Sequence, residues 1–227
     1  MISGAHRSIR AVLFDFDDTL VDTTEALIRL DKHWYDTLPR QNRPETEEEF
    51  IARMFEPLPE PFNLWDFYVR MLAIWPGSFD SVEAALEAHS RAVPNMVSLD
   101  VRTAHMLADV RSAGVPVGVV TNGPTDMQWA KVRNSGVADL VDAVVVSEEF
   151  GVNKPHPSIF NHALGLIGGN PLETLFVGDN PEADIVGAGD VGMQTAWMSH
   201  ARSWEIDSYH PTHVIEHVWE VRPLLGI

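Results

Sequence analysis

The chain has 227 residues, 45% of them hydrophobic and 22% charged, enough for one generous domain or for a core domain carrying a smaller insertion. A formal net charge of −17 repels polyanions and argues against a partner that is a nucleic-acid polymer, while the absence of cysteine excludes disulfides, thiolate-held zinc, iron–sulfur clusters and cysteine nucleophiles. No stretch reaches the roughly 18 apolar residues of a membrane span and Met1 to Arg10 lacks a secretory apolar run, so a cytoplasmic protein without membrane contact is expected.

The opening Arg10-Ala11-Val12-Leu13-Phe14-Asp15-Phe16-Asp17 is an apolar run ending in acids, which predicts a buried strand delivering polar groups at its carboxyl end. Residues 22–96 then fail to alternate. They read as helices over Glu25–Thr37, Thr46–Phe55, Phe62–Ile74 and Asp80–Ala92, divided by Pro57-Leu58-Pro59-Glu60-Pro61 and Trp75-Pro76-Gly77. With hinges at Asp22-Thr23 and Pro94-Asn95-Met96, they predict a small all-helical domain inserted into a core made of residues 1–21 and 97–227.

Beyond the insertion, a helical pattern from Val101 to Ser112 closes at Gly114 and leads into an apolar run from Val115 to Gly123. The alternation recurs. Asp142 to Ser147 reads as a strand before a helix from Pro157 to Ile167, and Thr174 to Val177 as a strand before a helix from about Pro181. Gln194–Met198 and Thr212–Ile215 predict two further short strands, and Val218–Leu225 a closing helix. The fold class is therefore α/β, a doubly wound, mostly parallel sheet with helices on both faces.

In such sheets the ligand lies beyond the carboxyl ends of the strands. There the sequence places Asp15-Phe16-Asp17-Asp18-Thr19, Thr121-Asn122-Gly123, Lys154-Pro155, and Gly178-Asp179-Asn180-Pro181-Glu182-Ala183-Asp184. Carboxylates, a hydroxyl, backbone N–H groups and one ammonium on a single edge suit Mg²⁺ beside a phosphoryl group. Extended residues alternate sides, so Asp15 and Asp17 are expected to project together while Phe16 enters the core. Adjacent carboxylates repel unless a divalent ion lies between them, which gives Asp179 or Asp184 a reason to be close. Thr121 and the N–H of Asn122 can hold phosphate oxygens, and Lys154 can neutralise their charge.

At these residues the chain resembles the haloacid dehalogenase superfamily, whose phosphatases carry D-x-D-x-T, a Ser or Thr ending the second strand, a Lys, and G-D-x-x-x-x-D. Four motifs in that order are a specific signal where one alone is weak. Val119–Gly123 and the Lys-Pro-x-Pro-x-Ile-Phe of Lys154–Phe160 are similar to the branch with a helical cap after the first motif. The resemblance implies that Asp15 attacks phosphorus to form an aspartyl phosphate. It implies that Asp17 protonates the leaving oxygen and then activates water. It also implies Mg²⁺ held by Asp15, the backbone carbonyl of Asp17, Asp179 and, directly or through water, Asp184. Dehalogenases of the superfamily lack an acid at the position of Asp17, which disfavours that activity here. The expected partner is a small phosphomonoester, a nucleoside monophosphate, sugar phosphate or phosphoglycolate-like acid, handled by a monomer or homodimer. A phosphomutase, or a silent binding or regulatory module on the same fold, is the alternative.

Other features read as structural. Asp18 and Asp22 suit turns or caps, and Glu182 suits a helix start through the dipole. Gly187-Ala188-Gly189-Asp190-Val191-Gly192 spells G-x-G-x-x-G but closes a helix instead of opening one, so it reads as close packing. His210, His213 and His217 offer no fourth zinc ligand. Trp34, Trp65 and Trp75, with Arg53 and Arg70, lie in the insertion, as core or as a specificity pocket.

Overall fold

The structure, a computed structural model, describes residues 8–39, 43–44, 46–55 and 64–227. The chain divides into two compact units, one of Met1–Thr23 with Val97–Ile227 and the other of Thr24–Met96. Among the described residues no helix is long and apolar enough to cross a membrane.

In the first unit, β1 (Ala11–Phe14), β2 (Val117–Thr121), β3 (Ala143–Val146), β4 (Thr174–Gly178), β5 (Gln194–Met198) and β6 (His213–Ile215) form one sheet of order β3-β2-β1-β4-β5-β6. Every neighbouring pair is parallel, with Val12 opposite Val117 on one side and Leu175 on the other. The chain winds outward from β1 in both directions, so the switch point lies between β1 and β4, where open α/β sheets place their ligands. All residues of β1, β2 and β4 are buried, as strands covered on both faces must be.

The helix expected over Pro157–Ile167 shows why the sheet is covered. Pro157 occupies its first position, the His156 side chain accepts from Ser158 N at 3.2 Å, and Gly168 ends it at φ +66°, in the left-handed region that favours glycine. Ile159, Phe160, Ala163, Leu164 and Ile167 form its buried stripe and pack with Leu13, Val120, Val145 and Phe176 of the sheet. Each large side chain so buried contributes about 1.5–3 kcal/mol. Gly118 of β2 lets this layer close, since a Cβ there would stand 2.8 Å from Leu13 and 3.2 Å from Ile167.

The second unit holds α1 (Thr23–Thr37, entering from the first unit), α2 (Glu47–Phe55), α3 (Leu64–Ile74) and α4 (Val82–Met96). Trp34 and Trp75 are buried, whereas Trp65 is 47% exposed. The Trp34 indole N–H reaches Tyr68 Oη at 3.2 Å, and that hydroxyl lies 3.1 Å from His89 Nδ1, so the aromatic interior carries paired polar groups. Arg53 is exposed and pairs with Glu49 one turn away. The break over Pro57–Pro61 and a helix start at Phe62 lie outside the described residues.

Several local expectations need correction. The hinge expected over Pro94–Met96 is helical: α4 continues past Ala92 to Met96 with Pro94 inside it. Pro94 has no N–H to give the carbonyl four residues back, so the last turn of α4 goes without that bond, and Pro94 and Val93 are buried. The first strand stops at Phe14, short of both acids, because the chain curls: the N–H groups of Leu20 and Val21 return to Phe16 O at 3.0 and 3.2 Å. After α5 (Val101–Ser112) and β2 the chain forms α6 (Thr125–Asn134), and after β3 the short α7 (Ser147–Phe150), two helices not among those expected. The helix Pro157–Ile167 is α8. Past β4 the chain makes a wide π-type turn over Pro181–Val186 before α9 (Gly187–Asp190), and Asn180, not Glu182, caps it by accepting from the N–H groups of Glu182 and Ala183 at 3.1 and 2.9 Å. Gly187 sits where a Cβ would come within 2.9 Å of Pro155 and Phe160, a packing role for the glycine run. The last segment is one 3₁₀ turn, Val218–Glu220, followed by α10 (Val221–Leu225).

Candidate active site

The strand ends bring the acids together. Asp15, 7% exposed, follows β1, and its N–H donates to Val177 O of β4 at 2.8 Å, fixing it at the switch point. Asp179 directly follows β4. Asp184 reaches back from the π-type turn, its Oδ2 accepting from Asn180 N at 3.0 Å. One carboxylate oxygen from each of Asp15, Asp179 and Asp184 lies within 4.8 Å of the others. Gly178 makes room, because a Cβ there would fall 2.6 Å from the Asp184 Cβ.

Lys154, 5% exposed, is the ammonium inside this cluster. Its Nζ donates to Asp15 Oδ1 and stands 2.7 Å from Asp184 Oδ1. The Lys154-Pro155 peptide is cis. Asn122 clamps the lysine's backbone: Lys154 N donates to Asn122 Oδ1 at 2.8 Å, and Asn122 Nδ2 donates to Lys154 O at 3.1 Å. The Asn122 side chain therefore positions Lys154, a use beyond the backbone N–H role expected from sequence.

The electrostatics fit a divalent cation. Burial, with the Asp184 and Asp17 charges, pushes Asp15 up to about 8 against the pull of Lys154. Burial and Asp184 push Asp179 up to about 6, although Arg202 opposes them. Burial opposes the charge on Lys154, but Asp15 and Asp184 outweigh it and raise the group above the ordinary lysine range. Two cations, Lys154 and the half-exposed Arg202, thus face three carboxylates, and the Oδ1 of Asp184, close as it is to Lys154, completes no properly directed hydrogen bond. An all-oxygen donor set with surplus negative charge matches Mg²⁺.

Asp17 lies apart from that triad. Lys131 Nζ, from α6, donates to both its oxygens at 2.6 and 2.7 Å, Gln128 Nε2 donates to Oδ2 at 2.8 Å, and the Thr23 hydroxyl donates to Oδ1. Burial opposes ionisation, yet the Lys131 charge and these hydrogen bonds hold the carboxyl below the usual carboxylate range. Thr121, 1% exposed, ends β2 and also accepts from Gln128. Thr19 Oγ1 approaches Asp15 Oδ2 at 3.4 Å.

Lys131, Gln128 and Arg202 escaped the sequence reading. Arg202 Nη2 donates to Asp179 O at 2.8 Å and to Oδ2 at 3.1 Å. The helix that carries the first two turns Gln128, Lys131 and Val132 inward, so no apolar period marks it in the sequence. His210, His213 and His217 belong to no metal-sized group among the described residues.

Comparison with known proteins agrees with this arrangement. The profile described as haloacid dehalogenase-like hydrolase matches residues 12–198. The chain is similar to the glyceraldehyde 3-phosphate phosphatase of Pyrococcus furiosus, 28% identical with 97% of this chain and 93% of that protein covered. It is also similar to the phosphoglycolate phosphatase of Yersinia pseudotuberculosis, 26% identical over 97% and 95%. Among solved structures, a haloacid dehalogenase-type phosphatase from Thermococcus onnurineus superimposes with a TM-score of 0.69 at 26% identity, covering 96% of this chain and 98% of that one. With its four motifs gathered at the switch point and the profile matched across most of its length, the chain belongs to the haloacid dehalogenase-like hydrolase family.

Proposed function

We propose that this protein hydrolyses small phosphomonoesters through an aspartyl phosphate on Asp15, with Mg²⁺ as cofactor. The observation carrying the reading is the buried set Asp15, Asp179, Asp184 and Lys154 at the switch point, with a second acid, Asp17, two residues from the first on its own partners.

An Asp15 oxygen attacks phosphorus as the bond to the leaving oxygen breaks, and Asp17 gives that oxygen a proton. In the second half, Asp17 takes a proton from water, the water oxygen attacks phosphorus, and the Asp15–phosphorus bond breaks to restore the carboxylate and release phosphate. The contact with Lys131 favours the ionised Asp17 of this second half. Lys154 and the Thr121 hydroxyl stabilise charge on the phosphoryl oxygens, joined by the N–H of Asn122. Asp15, Asp179 and Asp184, with the backbone carbonyl of Asp17, would hold Mg²⁺, which when bound polarises the phosphoryl group and neutralises the carboxylates. A dehalogenase, which expels halide, gives Asp17 nothing to protonate.

The substrate class is a short phosphorylated aldehyde, sugar or acid, supported by what the relatives' names say of those proteins. Residues 22–96 are assigned as the cap that selects the leaving group. The test is phosphate release from glyceraldehyde 3-phosphate, phosphoglycolate, sugar phosphates and nucleoside monophosphates, with Mg²⁺ or with EDTA, beside Asp15→Asn. Release that needs Mg²⁺ and vanishes in the variant is expected. Isomer formation without release would establish a mutase, and activity in Asp15→Asn within tenfold of wild type would remove Asp15 from its role.

A further inference from the structure

We propose that Lys131 and Gln128 of α6 are positioning residues that fix the orientation of the Asp17 carboxylate and tie it to the Thr121 hydroxyl. The inference rests on the acid–base reading of Asp17 and goes beyond it to residues outside all four motifs.

Lysines on helices usually extend their ammonium to water. Lys131 is 3% exposed and spends its charge on both Asp17 oxygens, at 2.6 and 2.7 Å. Its Nζ also lies 5.8 Å from the centroid of the fully buried Phe16 ring, which walls that side. Such an ion pair is weak as a stability device, because desolvating the two charges offsets most of their attraction. Its geometric effect is stronger. With Lys131 across both oxygens, Gln128 on Oδ2 and Thr23 on Oδ1, rotation of the carboxylate would break several bonds at once.

Gln128 adds a second link, since its one amide nitrogen donates to Asp17 Oδ2 and to the Thr121 hydroxyl. Acid–base carboxylate and phosphate-binding hydroxyl are thereby set at a fixed separation, the kind of pre-organisation on which proton transfer to a reacting oxygen depends. Gly123 independently marks the space as reserved. At φ +146° its missing Cβ would lie 3.0 Å from Gln128 Cγ and Cδ, so any larger residue in the turn after β2 would press on the amide that makes these bonds.

The test compares wild type, Lys131→Met, Gln128→Met, Asp17→Asn and the double variant Asp17→Asn/Lys131→Met, each with its melting temperature, on 4-nitrophenyl phosphate and on an alkyl phosphate. An alkoxide leaves poorly and needs a placed proton, and placed acid–base groups supply about 10²–10⁴-fold. Lys131→Met is expected to lower kcat on the alkyl ester by about 10²-fold, to affect the aryl ester far less, and to leave KM within a few-fold. Gln128→Met, which leaves the ion pair in place, should show the same selectivity at smaller size and serves if Lys131→Met does not fold. In the Asp17→Asn background, loss of Lys131 should add almost nothing, because its target is already gone. Equal slowing of both esters, or an undiminished effect of Lys131→Met in that background, overturns the positioning role while the acid–base reading stands. Asp17→Asn without leaving-group selectivity overturns the acid–base reading and, with it, the inference.

Discussion

Replacing Gly178 by alanine tests whether close packing, and not charge alone, places Asp184. The new Cβ would stand 2.4 Å from Asp184 Oδ2 and 2.6 Å from its Cβ and Cγ, so the aspartate must retreat by about 1 Å to reach ordinary contact. Overpacking of this kind costs about 1–3 kcal/mol, and the hydrogen bond from Asn180 N to Asp184 Oδ2 at 3.0 Å weakens as well. The same shift disturbs the 2.7 Å ion pair between Asp184 and Lys154, and the net destabilisation is about 2 kcal/mol. For a chain of this size that lowers the melting temperature by about 4–8 °C, and a displacement near 1 Å at the site costs about 10²-fold in kcat/KM. Thermal denaturation with EDTA, together with phosphate release, reads both effects. Gly165→Ala is the control of opposite sign, since a Cβ in that exposed turn of α8 meets nothing within 4 Å and alanine favours a helix by about 0.5–1 kcal/mol. A Gly178→Ala protein that melts no lower than wild type, or works within threefold of it, would refute the packing argument.

Two further outcomes follow from the same structure. Burial and the Glu47 charge push Asp31 up to about 6 in the folded chain from an ordinary 3.8, so the folded state loses stability as pH rises from about 4 through 6. After allowance for partial exposure that penalty is about 1–2 kcal/mol at pH 7, and Asp31→Asn should raise the urea midpoint at pH 7.5 but hardly at pH 4; an equal gain at both would show that the carboxyl is not strained by its charge. Asp100 caps α5 by accepting from Arg102 N at 2.8 Å, so Asp100→Ala should cost about 1 kcal/mol, with Asp100→Asn restoring most of it in the same denaturation series.

The core strands and the acids at their ends were legible because they follow rules the sequence states openly: apolar runs for strands covered on both faces, and polar residues where those runs stop. Val101–Ser112 and Pro157–Ile167 carry apolar stripes and caps, and both helices form over the expected residues. α6 was invisible for the converse reason. Its buried residues are Gln128, Lys131 and Val132, so it turns a mainly polar face inward and presents no apolar period to detect. Those polar residues are buried because Asp17 and Thr121 supply their partners, a fact carried by tertiary structure alone. The curl after Phe14 was missed for a related reason: Asp15 and Asp17 look like alternate residues of one strand, yet the chain turns back on Phe16 O and gives each acid its own neighbours.

The central place of β1 in the sheet bears on how the protein is made. Its partners are Val117–Val119 on one side and Thr174–Val177 on the other, so the earliest of this sheet's six strands to be synthesised is among the last to be completed. At about 5–20 residues per second, translation takes on the order of 8–30 s to travel from β1 to β4. During that interval Ala11–Phe14, wholly apolar, is an unsatisfied sheet edge that can pair with another chain. A growing chain is thus most vulnerable before Gly178 emerges, and variants that weaken β4 should aggregate during synthesis even where the finished fold would tolerate them.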